Sequence, residues 1–110
     1  MNAAGILPLM QRIAYHYPGK DIYITENGVA DAEDRLRKGW IAETMEAIET
    51  AYTQQIPIKG YFHWSLLDNF EWSYGWWPKF GLVEVDRKTM KRTIRKSAKW
   101  WAQYIDKNNK

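Results

Sequence analysis

The sequence predicts an α/β fold, and three observations predict it. Two short runs rich in β-branched and aromatic residues, Asp21-Ile22-Tyr23-Ile24-Thr25-Glu26 and Ile58-Lys59-Gly60-Tyr61-Phe62-His63-Trp64-Ser65, read as strands. Stretches of helical periodicity stand before, between and after them, giving the order helix, strand, helix, strand, helix. Each strand-like run opens into a turn or loop that carries carboxylates, and parallel α/β proteins build their sites at the carboxyl ends of strands. With no linker, repeat or low-complexity segment, the 110 residues read as one unit with a small core.

Each element has its own warrant. Ile6, Leu9, Met10, Ile13 and Tyr17 fall on one face of a helix predicted over Gly5 to Tyr17 and ended by Pro18-Gly19. In the first strand, Asp21 to Glu26, side chains alternate, so Ile22, Ile24 and Glu26 share one face and Tyr23, Thr25 and Asn27 the other. The second helix spans about Asp34 to Gln55, with Asp34 as its cap and Ile41, Met45, Ile48 and Tyr52 at helical spacing. The strand Ile58 to Ser65 leads into a long aromatic loop and an extended segment, Gly81 to Asp86. Arg87-Lys88-Thr89 makes a turn from which Thr93 to Arg95 returns antiparallel. A last helix, Ser97 to Ile105, buries either Trp101 and Ile105 or Trp100 and Tyr104.

Composition narrows the function classes. Cysteine is absent, so neither disulfides nor thiolate metal sites are available, and His16 and His63 stand alone without ligand spacing. No metal or other cofactor is expected. No signal peptide and no apolar run of 18 residues is present, which predicts a soluble cytoplasmic chain with no membrane partner. Net charge is +3, and Arg87, Lys88, Lys91, Arg92, Arg95, Lys96 and Lys99 crowd one stretch near Trp100 and Trp101. Such a stretch suits nucleic acid; a solvated turn and helix end explains it as well, and no nucleic-acid partner is expected.

The chemistry concentrates at the two strand ends. Glu26 closes an apolar strand face and so sits at the rim of a core; the bland alternative is a solvated residue leaving for a turn in which Asn27-Gly28 supplies positive φ. The second segment favours a site. Pyranose rings have apolar C–H faces and hydroxyl edges, so their sites pair flat aromatic surfaces with carboxylates. Trp64, Glu71, Trp72 and Trp76 fit that description. Seven Trp in the chain, three of them between Trp72 and Trp77, argue for binding over simple packing.

Three motifs carry a resemblance to a known family: Tyr23-Ile24-Thr25-Glu26-Asn27-Gly28, then Gly60-Tyr61-Phe62-His63-Trp64-Ser65-Leu66-Leu67-Asp68-Asn69-Phe70-Glu71-Trp72, then Lys79-Phe80-Gly81-Leu82-Val83-Glu84-Val85-Asp86. In order and spacing they resemble the last quarter of the family 1 glycoside hydrolases, retaining β-glycosidases on a (β/α)8 barrel, over about Ile6 to Trp101. The resemblance implies a partial (β/α)8 TIM barrel comprising about the last two βα units, residues 1–110 being a single incomplete domain at the C-terminal end of the barrel. It implies that Glu26 is the nucleophile of a double displacement. It further implies that Trp64 is the platform beneath the sugar, that Glu71 and Trp72 bind glycone hydroxyls, and that Phe80 is an apolar wall. A cis peptide bond between Trp64 and Ser65 is implied too. Relatives that take 6-phosphorylated sugars usually carry Ser in place of Glu71 and Lys in place of Pro78, so an unphosphorylated glycone is expected. Lys79 stands where relatives commonly have Arg, a small departure.

The larger departure is an absence. Retaining hydrolysis needs a second carboxyl group about 5–5.5 Å from the nucleophile, and the family supplies it from an Asn-Glu-Pro segment that this sequence lacks. Glu71, Asp68 and Glu84 are the substitutes to weigh; only Glu71 is plausible, and by resemblance it lies at the far edge of the sugar. A whole barrel also needs about 250 residues. The expectation is therefore a nucleophile-bearing part of a β-glucosidase- or β-galactosidase-type enzyme, inactive alone, whose substrate is a β-glycoside or oligosaccharide. Its protein partner would be a complementary N-terminal barrel chain or copies of itself, because two strands taken from a barrel expose an edge. The alternative is a non-catalytic, self-associating unit with at most weak glycan binding.

Overall fold

The computed structural model describes residues 2–108. Helix α1 (Ile6–His16) follows a short 3-10 turn at Ala3–Gly5, then strand β1 (Ile22–Asn27), helix α2 (Arg37–Thr53) and strand β2 (Ile58–His63). A hairpin of β3 (Val83–Val85) and β4 (Arg92–Ile94) precedes helix α3 (Lys96–Asn108). None of the helices among the described residues is long and apolar enough to cross a membrane. The chain divides into two compact units.

Unit 1 consists of the described residues of Met1–Asn27 together with Gly39–His63. Its centre is the parallel pair β1 and β2, the only sheet partners either strand has among the described residues. Parallel strands need a crossover, and α2 supplies it. Met10, Ile22, Ile41, Met45, Ile48, Ala51, Ile56 and Ile58 are buried around the pair. Tyr52, expected on the buried face of α2, is 55% exposed; its hydroxyl instead donates to the Ile58 carbonyl at 2.5 Å. Leu9 and Tyr17 of the predicted α1 face are also exposed, leaving Met10 as its buried member. Gly19 has φ +71° in the turn that ends α1, a conformation that favours glycine.

Unit 2 consists of Gly28–Lys38 together with the described residues from Trp64 onward. Its α2 cap corrects the sequence expectation. The carboxylate of Asp31, not Asp34, accepts the Leu36 and Arg37 amides at 2.8 and 3.0 Å at the start of α2. Asp34, at φ +56°, serves α3 instead: it accepts the Ser97 amide at 2.8 Å and the Ser97 hydroxyl at 2.5 Å, and pairs with Arg37 at 2.5 Å. Thus an aspartate 63 positions upstream caps the last helix. The β3–β4 pairing is antiparallel, as expected, with Val83 opposite Ile94. On α3, Trp100, Trp101 and Tyr104 are all half-buried and in ring contact, Trp101 stacking on Tyr104, whereas Ile105 is 37% exposed.

A second buried ionic cluster holds the loops of unit 2. Asp68 pairs with Arg95 through two contacts of 3.1 Å and accepts the Gly81 amide at 2.9 Å, while Arg95 also donates to the Gly81 carbonyl at 2.7 Å. Gly81 is a close-approach glycine: a Cβ there would collide with the Asp68 nitrogen, the Val83 carbonyl and Leu67. Arg95 therefore leaves the basic stretch in which the sequence placed it and serves as a core residue.

Candidate active site

Strand β1 delivers Glu26 outward. Exposure rises along its alternate residues, from buried Ile22 through half-buried Ile24 to exposed Glu26, as expected for a carboxylate at the rim of a core. Among the described residues the Glu26 carboxylate has no hydrogen bond or ion pair. It lines a groove of about 420 Å³ in unit 1 whose walls include Leu9, Ile24, Asn27 and Trp40. Glu26 is thus a free carboxylate beside a largely apolar recess, chemically able to act as a nucleophile, a base or a cation-pairing group.

The turn after Glu26 is not the positive-φ turn that the bland reading required. Neither Asn27 nor Gly28 has positive φ; among the described residues the non-glycine positions that do are Asp34, Gln55, Trp72 and Met90. Asn27 is instead the anchor of a polar cluster in unit 1. Its side-chain oxygen accepts the Trp40 indole N–H at 2.9 Å and lies 3.2 Å from the Tyr61 hydroxyl, which is 3.0 Å from His63 Nδ1. Burial pushes the Tyr61 hydroxyl far above its ordinary range, so it stays protonated. His63 is a hydrogen-bonded histidine. Gly28, in unit 2, is required for another reason: a Cβ there would overlap the Trp64 carbonyl.

The other residues singled out in the sequence, Trp64, Glu71, Trp72, Trp76 and Phe80, lie in unit 2. Trp64 is half-buried and joined to Ser65 by a cis peptide bond, as the resemblance implied. The Ser65 amide donates to the Phe80 carbonyl at 3.2 Å, and the Leu82 amide returns to Ser65 at 2.8 Å, so the Trp64 and Phe80 segments run side by side. Glu71 is half-buried at the start of a tight loop: its amide donates to the Gly75 carbonyl at 2.7 Å, and its carbonyl accepts from Tyr74 at 2.9 Å. Trp72 stands at φ +47° and is 82% exposed, and Trp77 is 70% exposed. Trp76 is differently placed. The Arg87 guanidinium lies over its ring at 3.7 Å and Phe70 packs at 5.3 Å, leaving Trp76 41% exposed.

Asp68, weighed from sequence as a substitute acid, is committed to Arg95, whereas Glu84 is exposed on β3. No group of three or more His, Cys, Asp or Glu suited to a metal occurs among the described residues. Sequence reasoning missed the anchoring role of Asn27. The only signal was its position beside Glu26, because its partners Trp40 and Tyr61 lie 13 and 34 residues away.

The chain is similar to known proteins. The chain is 39% identical to a 1,4-beta-D-glucan glucohydrolase of Thermotoga neapolitana, the match covering 96% of this chain and 26% of that protein. It is 45% identical to a beta-galactosidase of Pyrococcus woesei over 76% of this chain and 16% of the relative. A solved family 1 β-glucosidase from Thermotoga maritima superposes with a TM-score of 0.88 at 34% identity, over 96% of this chain and 26% of that one. The β-glycosidase of Thermosphaera aggregans gives 0.83 at 45% identity, over 87% and 20%. The chain therefore spans about a quarter or less of the relatives it matches. The sequence profile described as Glycosyl hydrolase family 1 matches residues 1–110, and with these likenesses it shows that the chain belongs to glycosyl hydrolase family 1.

Proposed function

We propose that these residues are the nucleophile-bearing part of a retaining β-glycosidase of the β-glucosidase or β-galactosidase type, forming about the last two βα units of a (β/α)8 barrel. The observation that carries this reading is Glu26: an exposed, unengaged carboxylate at the carboxyl end of a parallel strand, beside a groove. Its carboxylate attacks the anomeric carbon while the bond to the aglycone oxygen breaks and an acid protonates that oxygen. Water, deprotonated by the same acid's conjugate base, then attacks the anomeric carbon, expels Glu26 and restores the β configuration. The general acid/base comes from barrel residues other than these 110, and so the chain is inactive until they are supplied. Glu71 and Trp72 bind glycone hydroxyls, Trp64 stacks beneath the ring and Phe80 walls it, in a cytoplasmic setting. The two edges of the β1–β2 pair, without a strand partner among the described residues, favour one second reading, a self-associating unit without catalysis.

The test is a chimaera in which residues 1–110 replace the matching part of the Thermotoga maritima β-glucosidase. A 2-deoxy-2-fluoro-β-glucoside with a dinitrophenolate leaving group should esterify Glu26, located by peptide mapping. Glu26→Ala should abolish hydrolysis, and added azide should restore cleavage with an α-glycosyl azide as product. An active chimaera labelled elsewhere, or active after Glu26→Ala without azide, rejects the assignment. A symmetric homo-oligomer of the 110-residue chain, with an inactive chimaera, supports the second reading.

A further inference from the structure

The backbone at Glu26 is not held by a regular ladder. Between the pairs Ile24–Tyr61 and Asn27–His63, β1 advances three residues while β2 advances two, so β1 bulges across Thr25 and Glu26. A bulge leaves the extra residue unpaired and re-aims its side chain. The direction of the Glu26 carboxylate then depends on how the chain is gripped on either side. Upstream, Ile24 pairs with β2. Downstream, Asn27 is gripped by its side chain: one carbonyl oxygen receives the Trp40 indole N–H from α2 at 2.9 Å and the Tyr61 hydroxyl from β2 at 3.2 Å. Thr44 Oγ1 lies 3.4 Å from the same oxygen, but its proton goes to the Trp40 carbonyl at 2.8 Å and fixes the residue that supplies the indole. Asn27 and Trp40 also line the groove into which Glu26 opens.

We infer that Asn27 is a positioning residue for Glu26: clamped by Trp40 and Tyr61, it fixes the outgoing end of the bulge and so aims the carboxylate. The inference rests on the reading of Glu26 as nucleophile. Asn27 touches no reacting atom; its effect is geometric, and a misplacement of about 1 Å at a reacting group can cost on the order of 10²-fold in rate.

The experiment measures covalent labelling of Glu26 by the 2-fluoroglucoside, in the purified chain and in the chimaera, resolving the rate constant at saturation from the reagent's apparent affinity. The variants are Asn27→Leu, which keeps the shape and loses the acceptor, Asn27→Asp, which keeps an acceptor, and Trp40→Phe, which keeps a ring and loses the donor. Asn27→Leu and Trp40→Phe should lower the saturating rate constant on the order of 10²-fold with affinity little changed. Asn27→Asp should restore most of it, with the Trp40 indole N–H resonance in its wild-type position. Should Asn27→Leu unfold, Trp40→Phe carries the same test. Labelling at the wild-type rate in both acceptor-loss and donor-loss variants overturns the positioning role and leaves the nucleophile intact. Failure of the wild type to label Glu26 in both forms, the chain and the chimaera, removes the nucleophile reading and this inference together.

Discussion

The two units solve the same problem with different chemistry. Unit 1 wraps its parallel pair in aliphatic side chains such as Met10, Ile41, Ile48 and Ile58, and its central polar group is a neutral, half-buried amide at Asn27. Unit 2 buries charge: Arg37 among Asp31, Asp34 and the Lys79 carbonyl, and Arg95 against Asp68. A strand pair offers a continuous apolar surface, whereas a set of loops offers backbone groups that need charged or polar partners. Unit 1 should therefore respond to lost volume and unit 2 to lost charge or to acid.

The strongest way to sharpen that contrast is Asp68→Ala. It strands the Arg95 guanidinium in a buried site and should cost about 3–5 kcal/mol, read as lost amide protection in unit 2 by hydrogen exchange. Ile41→Ala, at a fully buried position, should cost about 3 kcal/mol and register in unit 1. Equal loss of protection in both units for either variant breaks the comparison. Asp31→Ala removes the α2 cap and should cost about 1–2 kcal/mol, read from the urea midpoint.

The mildest perturbation is acid. Burial pushes the Asp31 carboxyl up, but the amides of Leu36, Arg37 and Arg35 and the Arg37 guanidinium outweigh it and hold the group below its ordinary value of 3.8. Burial likewise pushes Asp34 up, and the Ser97 hydroxyl and amide with Arg37 bring it below the same value. A carboxyl lowered in the folded state contributes stability above the unfolded value, and that contribution is lost as pH falls through the folded one. Protection in unit 2 should thus fade below about pH 3.8 before that of unit 1, seen in pH-dependent exchange. Simultaneous loss contradicts the contrast.

What the sequence reveals follows the range of the forces involved. Helical spacing is local, so Ile41, Met45 and Ile48 are readable as the buried face of α2 from the letters alone. The cap is not, because Asp31 and Asp34 both precede the helix and the choice depends on Ser97, 63 residues on from Asp34. Gly28 was legible as a constrained position but for the wrong reason: close approach of the Trp64 carbonyl, not a turn, excludes a side chain. At the candidate site, the strand-end position of Glu26 is a local signal. The bulge beneath it is a matter of register between strands, and no single strand encodes register.

The loop from Phe70 to Trp76 closes on itself. Its neck is the Glu71 amide on the Gly75 carbonyl and the Phe70–Trp76 ring contact, while the clasp of Asp68, Gly81 and Arg95 uses none of its residues. The segment is consequently a cassette: its contents, Glu71 and Trp72 included, can be exchanged or lengthened by directed evolution while the clasp that seats it is left unaltered.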